Sequence, residues 1–165
     1  MDIFVLLLLT MLSQTAEYAL RAIVWLADHP DRPCTTSEIA RGTRVPAGYL
    51  AKVLQSLGRA GLVNAQRGLR GGFTLARPAN RLTMLDVVNA VDPIRRIRTC
   101  PLGIKSHGKN LCPLHRRLDD ALAMVEQALG GVPLSDMLSP PGKSPTLCST
   151  PPAALRVNGR PVRVK

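Results

Sequence analysis

Acidic residues are missing from the middle of this chain: none stands between Glu38 and Asp86, while Arg41, Arg44, Lys52, Arg59, Arg67, Arg70, Arg77 and Arg81 all fall inside that interval. So one-sided a run is the electrostatic footprint of a surface that meets phosphate, and a merely solvated basic face is the plainer alternative. Long apolar runs are missing too. Residues 3–12 are almost wholly apolar, but a membrane-spanning helix needs about 20 such residues. A secretory signal would need a basic start and a small-residue cleavage site, whereas this segment begins with Asp2. The Cys-x-x-Cys pattern of thiol-redox enzymes is absent. No nucleophile, base and orienting group share a pocket-like pattern either, so a non-enzyme is expected.

What is present suits one domain with an appendage: 165 residues, 45% of them hydrophobic, are enough to bury a real core. The net charge of +11 is spread unevenly, and residues 139–165 hold five basic groups, six prolines and no acid. That composition predicts a disordered tail. A complete amphipathic helix begins at Leu12, so Met11 is expected to be the natural start and residues 1–10 an upstream extension. With no sign of export, the four cysteines are expected as reduced thiols of a cytoplasmic protein rather than as disulfides. Cys34 and Cys148 stand alone, and Cys34 reads as structural or incidental.

The order of elements follows from periodicity and punctuation. Over residues 14–28, Ala16, Ala19, Leu20, Ile23, Val24 and Ala27 recur at spacings of three and four, one buried stripe of a helix that ends before His29-Pro30. Thr36 is expected to cap a short second helix that Gly42 breaks, and Pro46 opens a third. Leu50, Val53, Leu54 and Leu57 of that third helix share an inward face. Ala47, Gly48, Ala51, Lys52, Gln55 and Arg59 lie nearer the outside. Small residues permit close approach to a major groove while Lys, Gln and Arg reach base edges or phosphates, so this mixture suits a recognition helix; an ordinary solvated face is the alternative.

Residues 61–66 and 72–76 read as two short strands joined by the hairpin Arg67-Gly-Leu-Arg-Gly-Gly72, a basic wing whose glycines let the backbone approach a phosphate or a minor groove. Thr83 is expected to cap a fourth helix over 84–91. Residues 95–111 lack a sustained period, and a long helix follows over 113–130 with Leu114, Leu118, Ala121, Leu122, Val125 and Leu129 on one stripe. Such a stripe beyond a small module implies a twin, hence a homodimer able to address two half-sites, with packing back onto its own module as the alternative. The fold class is therefore mainly α with a small β-wing. A winged helix-turn-helix domain over 11–92 precedes a cysteine-containing loop over 93–112, and a dimerisation helix with a short terminal helix occupies 113–138.

At this level of detail the motifs Leu12-Ser13-Gln14-Thr15-Ala16-Glu17-Tyr18-Ala19-Leu20-Arg21, Tyr49-Leu50, Leu57-Gly-Arg-Ala-Gly-Leu-Val63, Arg67-Gly-Leu-Arg-Gly-Gly72 and Asp86-Val-Val-Asn-Ala-Val91 resemble the IscR/NsrR-type regulators of the Rrf-two superfamily. The resemblance spans residues 12–138. It implies a dimeric winged-helix transcription factor bound to a double-stranded DNA operator, with Arg67 at a wing position that contacts DNA. With Arg67, the expected DNA-binding set is Thr36, Ala47, Gly48, Tyr49, Lys52, Gln55, Arg59, Arg70 and Gly71. Gly48 and Ala51 stand where a better-known relative carries Ser and Glu, so a different operator sequence is expected.

Several members of that family hold an iron–sulfur cluster on three cysteines of the loop before the dimer helix. Here the frame is altered: Cys100 and Cys112-Pro-Leu-His115 are kept, but Ser106 stands where the middle cysteine would fall, and a neutral hydroxyl is a poor iron ligand. The resemblance makes Cys100, Cys112 and His115 the metal-site candidates, with His107 and Glu17 as further cofactor ligands, around a [2Fe–2S] cluster that senses redox, iron or nitric oxide status. A Cys100/Cys112 thiol switch, a zinc site, no sensing chemistry at all, or a cluster carrier without DNA binding are the competing readings.

Overall fold

The computed structural model describes residues 12–68, 70–103 and 111–138 and the pairs 156–157 and 160–161. The expected upstream extension and nearly all of the basic tail lie outside them. Helix α1 (Gln14–Ala27) is capped by Ser13, whose hydroxyl accepts from the Ala16 N–H at 3.2 Å. It lies at the centre of the molecule, with Ala19, Ala22, Ile23 and Leu26 almost fully buried. Helix α2 (Thr36–Thr43) is capped one residue earlier than expected: Thr35, not Thr36, forms a reciprocal capping box with Glu38.

Gly42 does not break α2, which runs on to Thr43 and ends in Arg44, whose φ of 57° is left-handed. Gly42 serves packing instead: a Cβ there would overlap the Trp25 ring, which is itself stacked on His29 at 4.2 Å. Helix α3 (Ala47–Arg59) follows Pro46, and Leu50, Val53, Leu54 and Leu57 are buried against α1, as their spacing predicts. Each such side chain contributes roughly 1.5–3 kcal/mol by leaving water.

Strands β1 (Val63–Gln66) and β2 (Gly72–Leu75) pair antiparallel, Val63 opposite Leu75 and Gln66 opposite Gly72. Cys34 bonds to the outer edge of β2 through its backbone, Cys34 N to Phe73 O at 3.0 Å and Phe73 N to Cys34 O at 2.8 Å. The approach is so close that a Cβ on Gly72 would lie 2.6 Å from the Cys34 carbonyl oxygen. Burial pushes the Cys34 thiol up from its ordinary range, which fits a structural rather than a reactive cysteine.

A single 3-10 turn (Ala79–Arg81) leads to α4 (Met84–Val91), capped by Thr83 in a second capping box with Asp86. The long α5 (Pro113–Gly130) starts on Pro113 and is followed by α6 (Ser135–Leu138). Leu134 between them is fully buried and donates its N–H to the Leu82 carbonyl at 2.7 Å, anchoring the end of α5 to the main core. Within the tail, β3 (Arg156–Val157) pairs antiparallel with β4 (Arg160–Pro161).

Candidate nucleic-acid interface and cysteine site

Every outward residue expected on α3 is exposed, Ala47, Gly48, Ala51, Lys52, Gln55 and Arg59, and so is Tyr49 of the expected DNA-binding set. Nothing lies within 4 Å of where a Gly48 Cβ would be, so that face is flat as well as basic. Thr36 is half-buried at the start of α2. Arg67 and Arg70 are exposed at the tip of the wing. Gly68 between them adopts a φ of 107°, and the Gly71 N–H closes the turn on the Gly68 carbonyl at 2.9 Å. A side chain on Gly71 would overlap the Gln66 carbonyl oxygen, so the tip is narrow because only glycine fits it. Between α3 and the wing, Ala51, Lys52, Gln55, Gly58, Ala65 and Phe73 border an open groove of about 510 Å³.

The expected set omitted the residues that hold α3 in place. The Thr15 and Tyr49 hydroxyls share a hydrogen bond of 2.7 Å, and the Tyr18 ring meets the Tyr49 ring edge-on with centroids 5.5 Å apart. Arg21 donates to the Thr43 carbonyl at 3.2 Å, lies over the Tyr18 ring and forms an ion pair with Glu17. These residues form a second, polar stripe on α1 at spacings of three and four, a signal present beside the apolar one.

The cysteine loop and α5 converge at the start of that helix. Cys112 is its N-cap, and His115 lies one turn on, its Nδ1 3.2 Å from the Cys112 Sγ and 3.9 Å from the Cys100 Sγ. All three side chains are half-buried. Glu17 is engaged by Arg21 on α1, and His107 lies outside the described residues. Among the described residues no group of three or more His, Cys, Asp and Glu stands in an arrangement that could hold a metal ion. Two thiols and an imidazole are nevertheless gathered at one place.

One turn further along α5, Asp119 accepts from Arg96 Nε at 2.7 Å and Nη2 at 2.6 Å and from the Ile97 N–H at 2.8 Å, while Arg96 Nη1 reaches Glu126 at 3.2 Å. The guanidinium holds the Asp119 carboxyl below the usual carboxylate range, and the paired carboxylates push Arg96 further up. The stripe expected on α5 is largely uncovered: Leu114 is 65% and Leu118 48% exposed, and Leu129 alone of α5 is buried. Ala16, Val88 and Leu129 form a small cluster there, with Ile94 and Val125 packed against it.

A helix-turn-helix followed by a basic two-stranded wing is the architecture of winged-helix DNA-binding proteins. Residues 12–140 match the family model described as "Rrf2: Iron-dependent Transcriptional regulator". The chain belongs to the Rrf2 family of DNA-binding transcriptional regulators. A protein of Aquifex aeolicus (strain VF5), named provisionally as an HTH-type transcriptional regulator, is 28% identical over 130 residues, 77% of this chain and 90% of that relative. Among solved structures, CymR (YrzC), the global cysteine regulator of B. subtilis, superposes with a TM-score of 0.64 at 24% identity, covering 76% of this chain and 94% of that one. The T. potens IscR structure gives a TM-score of 0.64 at 23% identity, covering 77% and 85%. At those identities the structural likeness bears on the fold. No helix among the described residues is long and apolar enough to cross a membrane.

Proposed function

We propose that the chain is a cytoplasmic, homodimeric, sequence-specific regulator that reads duplex DNA with α3 and the wing and receives its signal at Cys100, Cys112 and His115. The observation that carries the first half is the exposed face of α3, open at Gly48, basic at Lys52 and Arg59, and sharing a groove with Ala65 and Phe73 of the wing whose tip bears Arg67 and Arg70. In this reading α3 enters the major groove. Ala47, Gly48 and Ala51 allow close approach, Tyr49, Lys52 and Gln55 face bases and nearby phosphates, and Arg59 and Thr36 meet the backbone. Arg67, Arg70 and Gly71 lie along the minor groove. The exposed Leu114 and Leu118 support dimerisation through α5.

For the signal, Cys100 and Cys112 would hold a [2Fe–2S] cluster by two thiolates and His115 would add an imidazole, with Glu17 or His107 as the remaining ligand. This rests on the donor chemistry gathered at the start of α5 and on the iron named in the family description. When bound, such a cluster supplies a one-electron redox couple and iron–thiolate bonds that can be broken. A thiol switch between Cys100 and Cys112 is the second reading. It is favoured by the 3.2 Å separation of the Cys112 sulfur from His115, an imidazole able to take the thiol proton.

Protein purified without oxygen, examined by visible absorption with iron and acid-labile sulfide analysis, separates the two. Matched iron and sulfide with visible bands, lost in Cys100→Ala and Cys112→Ala together with signal-dependent DNA binding, are expected. Colourless protein after reconstitution removes the cluster and leaves the thiol switch.

A further inference from the structure

Residues 94–100 run along α5 in the direction opposite to it. Ile94 shares the small apolar cluster with Val125 and Leu129 near the C-terminal end of the helix. Arg96 then meets Glu126 and Asp119, the Ile97 N–H meets Asp119, and Cys100 meets His115. Successive residues of the strap thus touch successively earlier turns of α5. Of these contacts, the Arg96–Asp119 pair is the directional one: both N–H groups of one edge of the guanidinium engage both carboxylate oxygens, and a backbone N–H adds a third bond to an acid whose side chain is 16% exposed. An ion pair on a surface contributes little stability, but a bidentate fork fixes orientation as well as distance.

We infer that Arg96 is a positioning residue for the cysteine site: its fork on Asp119 fixes the register of residues 94–100 on α5 and so carries Cys100 to Cys112 and His115. The inference rests on the reading of that trio as the signal site, under either chemistry. Cys100 follows Arg96 by four residues and His115 precedes Asp119 by four, so fork and cysteine site lie one helical turn apart. A slip of one turn along α5, about 5.4 Å, moves Cys100 out of reach of His115.

The test uses the full chain, metal-free and reduced, with diamide as the oxidant that takes up the two thiol hydrogens. Peptide mass mapping follows the Cys100–Cys112 disulfide, and iodoacetamide labelling of each cysteine reports its simple accessibility. Arg96→Gln is expected to slow that disulfide about tenfold, as expected when two groups lose a fixed geometry, while labelling changes less than about twofold. Arg96→Lys keeps the charge without the fork and is expected to stay slow. The exchanged pair Arg96→Asp with Asp119→Arg is expected to recover most of the rate. Asp119→Asn provides the same measurement if Arg96→Gln folds poorly. Disulfide formation at the wild-type rate in Arg96→Gln, equal changes in disulfide formation and labelling, or a wild-type chain that forms no Cys100–Cys112 disulfide would each overturn the inference. Because the assay contains no iron, a colourless reconstituted protein would remove the cluster reading without bearing on it.

Discussion

The winged module and the long helix are covered to different degrees by their own chain. In the module the inward apolar stripes of α1 and α3 are buried at Ala16, Ala19, Ile23, Val24 and Ala27 and at Leu50, Val53, Leu54 and Leu57, and the starts of α2 and α4 are closed by capping boxes. In α5 the apolar residues are mostly outside: Leu114, Leu118 and Met124 are 65%, 48% and 66% exposed, and the helix is held to the rest by Leu129, the Arg96 ion pairs and the buried Leu134 that follows it. The first is a finished core and the second a half-finished one. Function divides along the same line in the proposed reading, with the complete part presenting a basic face to DNA and the incomplete part joining two copies near the signal site.

The sharpest way to break that contrast is to damage each part in kind. Leu54→Ala, which empties a fully buried position, is expected to destabilise the chain by about 2–5 kcal/mol, measured by urea unfolding. Leu118→Glu, at an exposed position, is expected to leave the unfolding of the module nearly unchanged and to convert the sedimenting species from dimer to monomer. A monomeric wild type, or a Leu118→Glu protein that remains dimeric, would remove α5 as the interface. A smaller effect is expected at the wing. Arg67→Ala and Arg70→Ala should each weaken operator binding and flatten its salt dependence by about one unit of slope for every phosphate that is no longer neutralised. An unaltered slope in titrations by fluorescence anisotropy would take the wing out of the interface.

Much of the module was legible because its signals are local. The three-and-four spacing in α1 and α3, Pro46, Thr83 and the glycines of the hairpin each act within a few residues, and the structure has the elements where those signals lie. Of the errors, one is local in cause and one is not. Thr35 and Thr36 are equally good caps by type, and Glu38 decides between them because it sits three residues after Thr35. Gly42 reads as a breaker, yet it is a space left for Trp25, a residue 17 positions away that no local rule connects to it. The same applies to the site. The outward residues of α3 follow from helical period, whereas the Thr15–Tyr49 bond and the Arg96–Asp119 fork join residues 34 and 23 positions apart, visible only once the helices are packed. Cys100, Cys112 and His115 were named from the resemblance, and the geometry brings both sulfurs within 3.9 Å of the His115 ring.

The smallest expected effect concerns the start of α2, the helix that precedes α3. The Thr35 backbone N–H and hydroxyl, with Arg32 at 2.9 Å, hold the Glu38 carboxyl down from its ordinary 4.5 to about 2. A carboxyl lowered on folding adds stability that is fully present above its unfolded value and is lost as pH falls through the folded one. The window is therefore about pH 4.5 down to about pH 2. Glu38→Gln preserves a side chain able to close the capping box but cannot titrate, so its unfolding free energy is expected to fall less steeply than that of the wild type across that window. Thr35→Ala, which removes the cap hydroxyl, is expected to cost about 1 kcal/mol at neutral pH. Because the ion pair of Glu38 with the exposed Arg32 is screened by salt, the difference between Glu38→Gln and wild type should shrink in high salt. A persistent difference would mean that the neutral hydrogen bonds of the cap, rather than its charge, govern the acid sensitivity of α2.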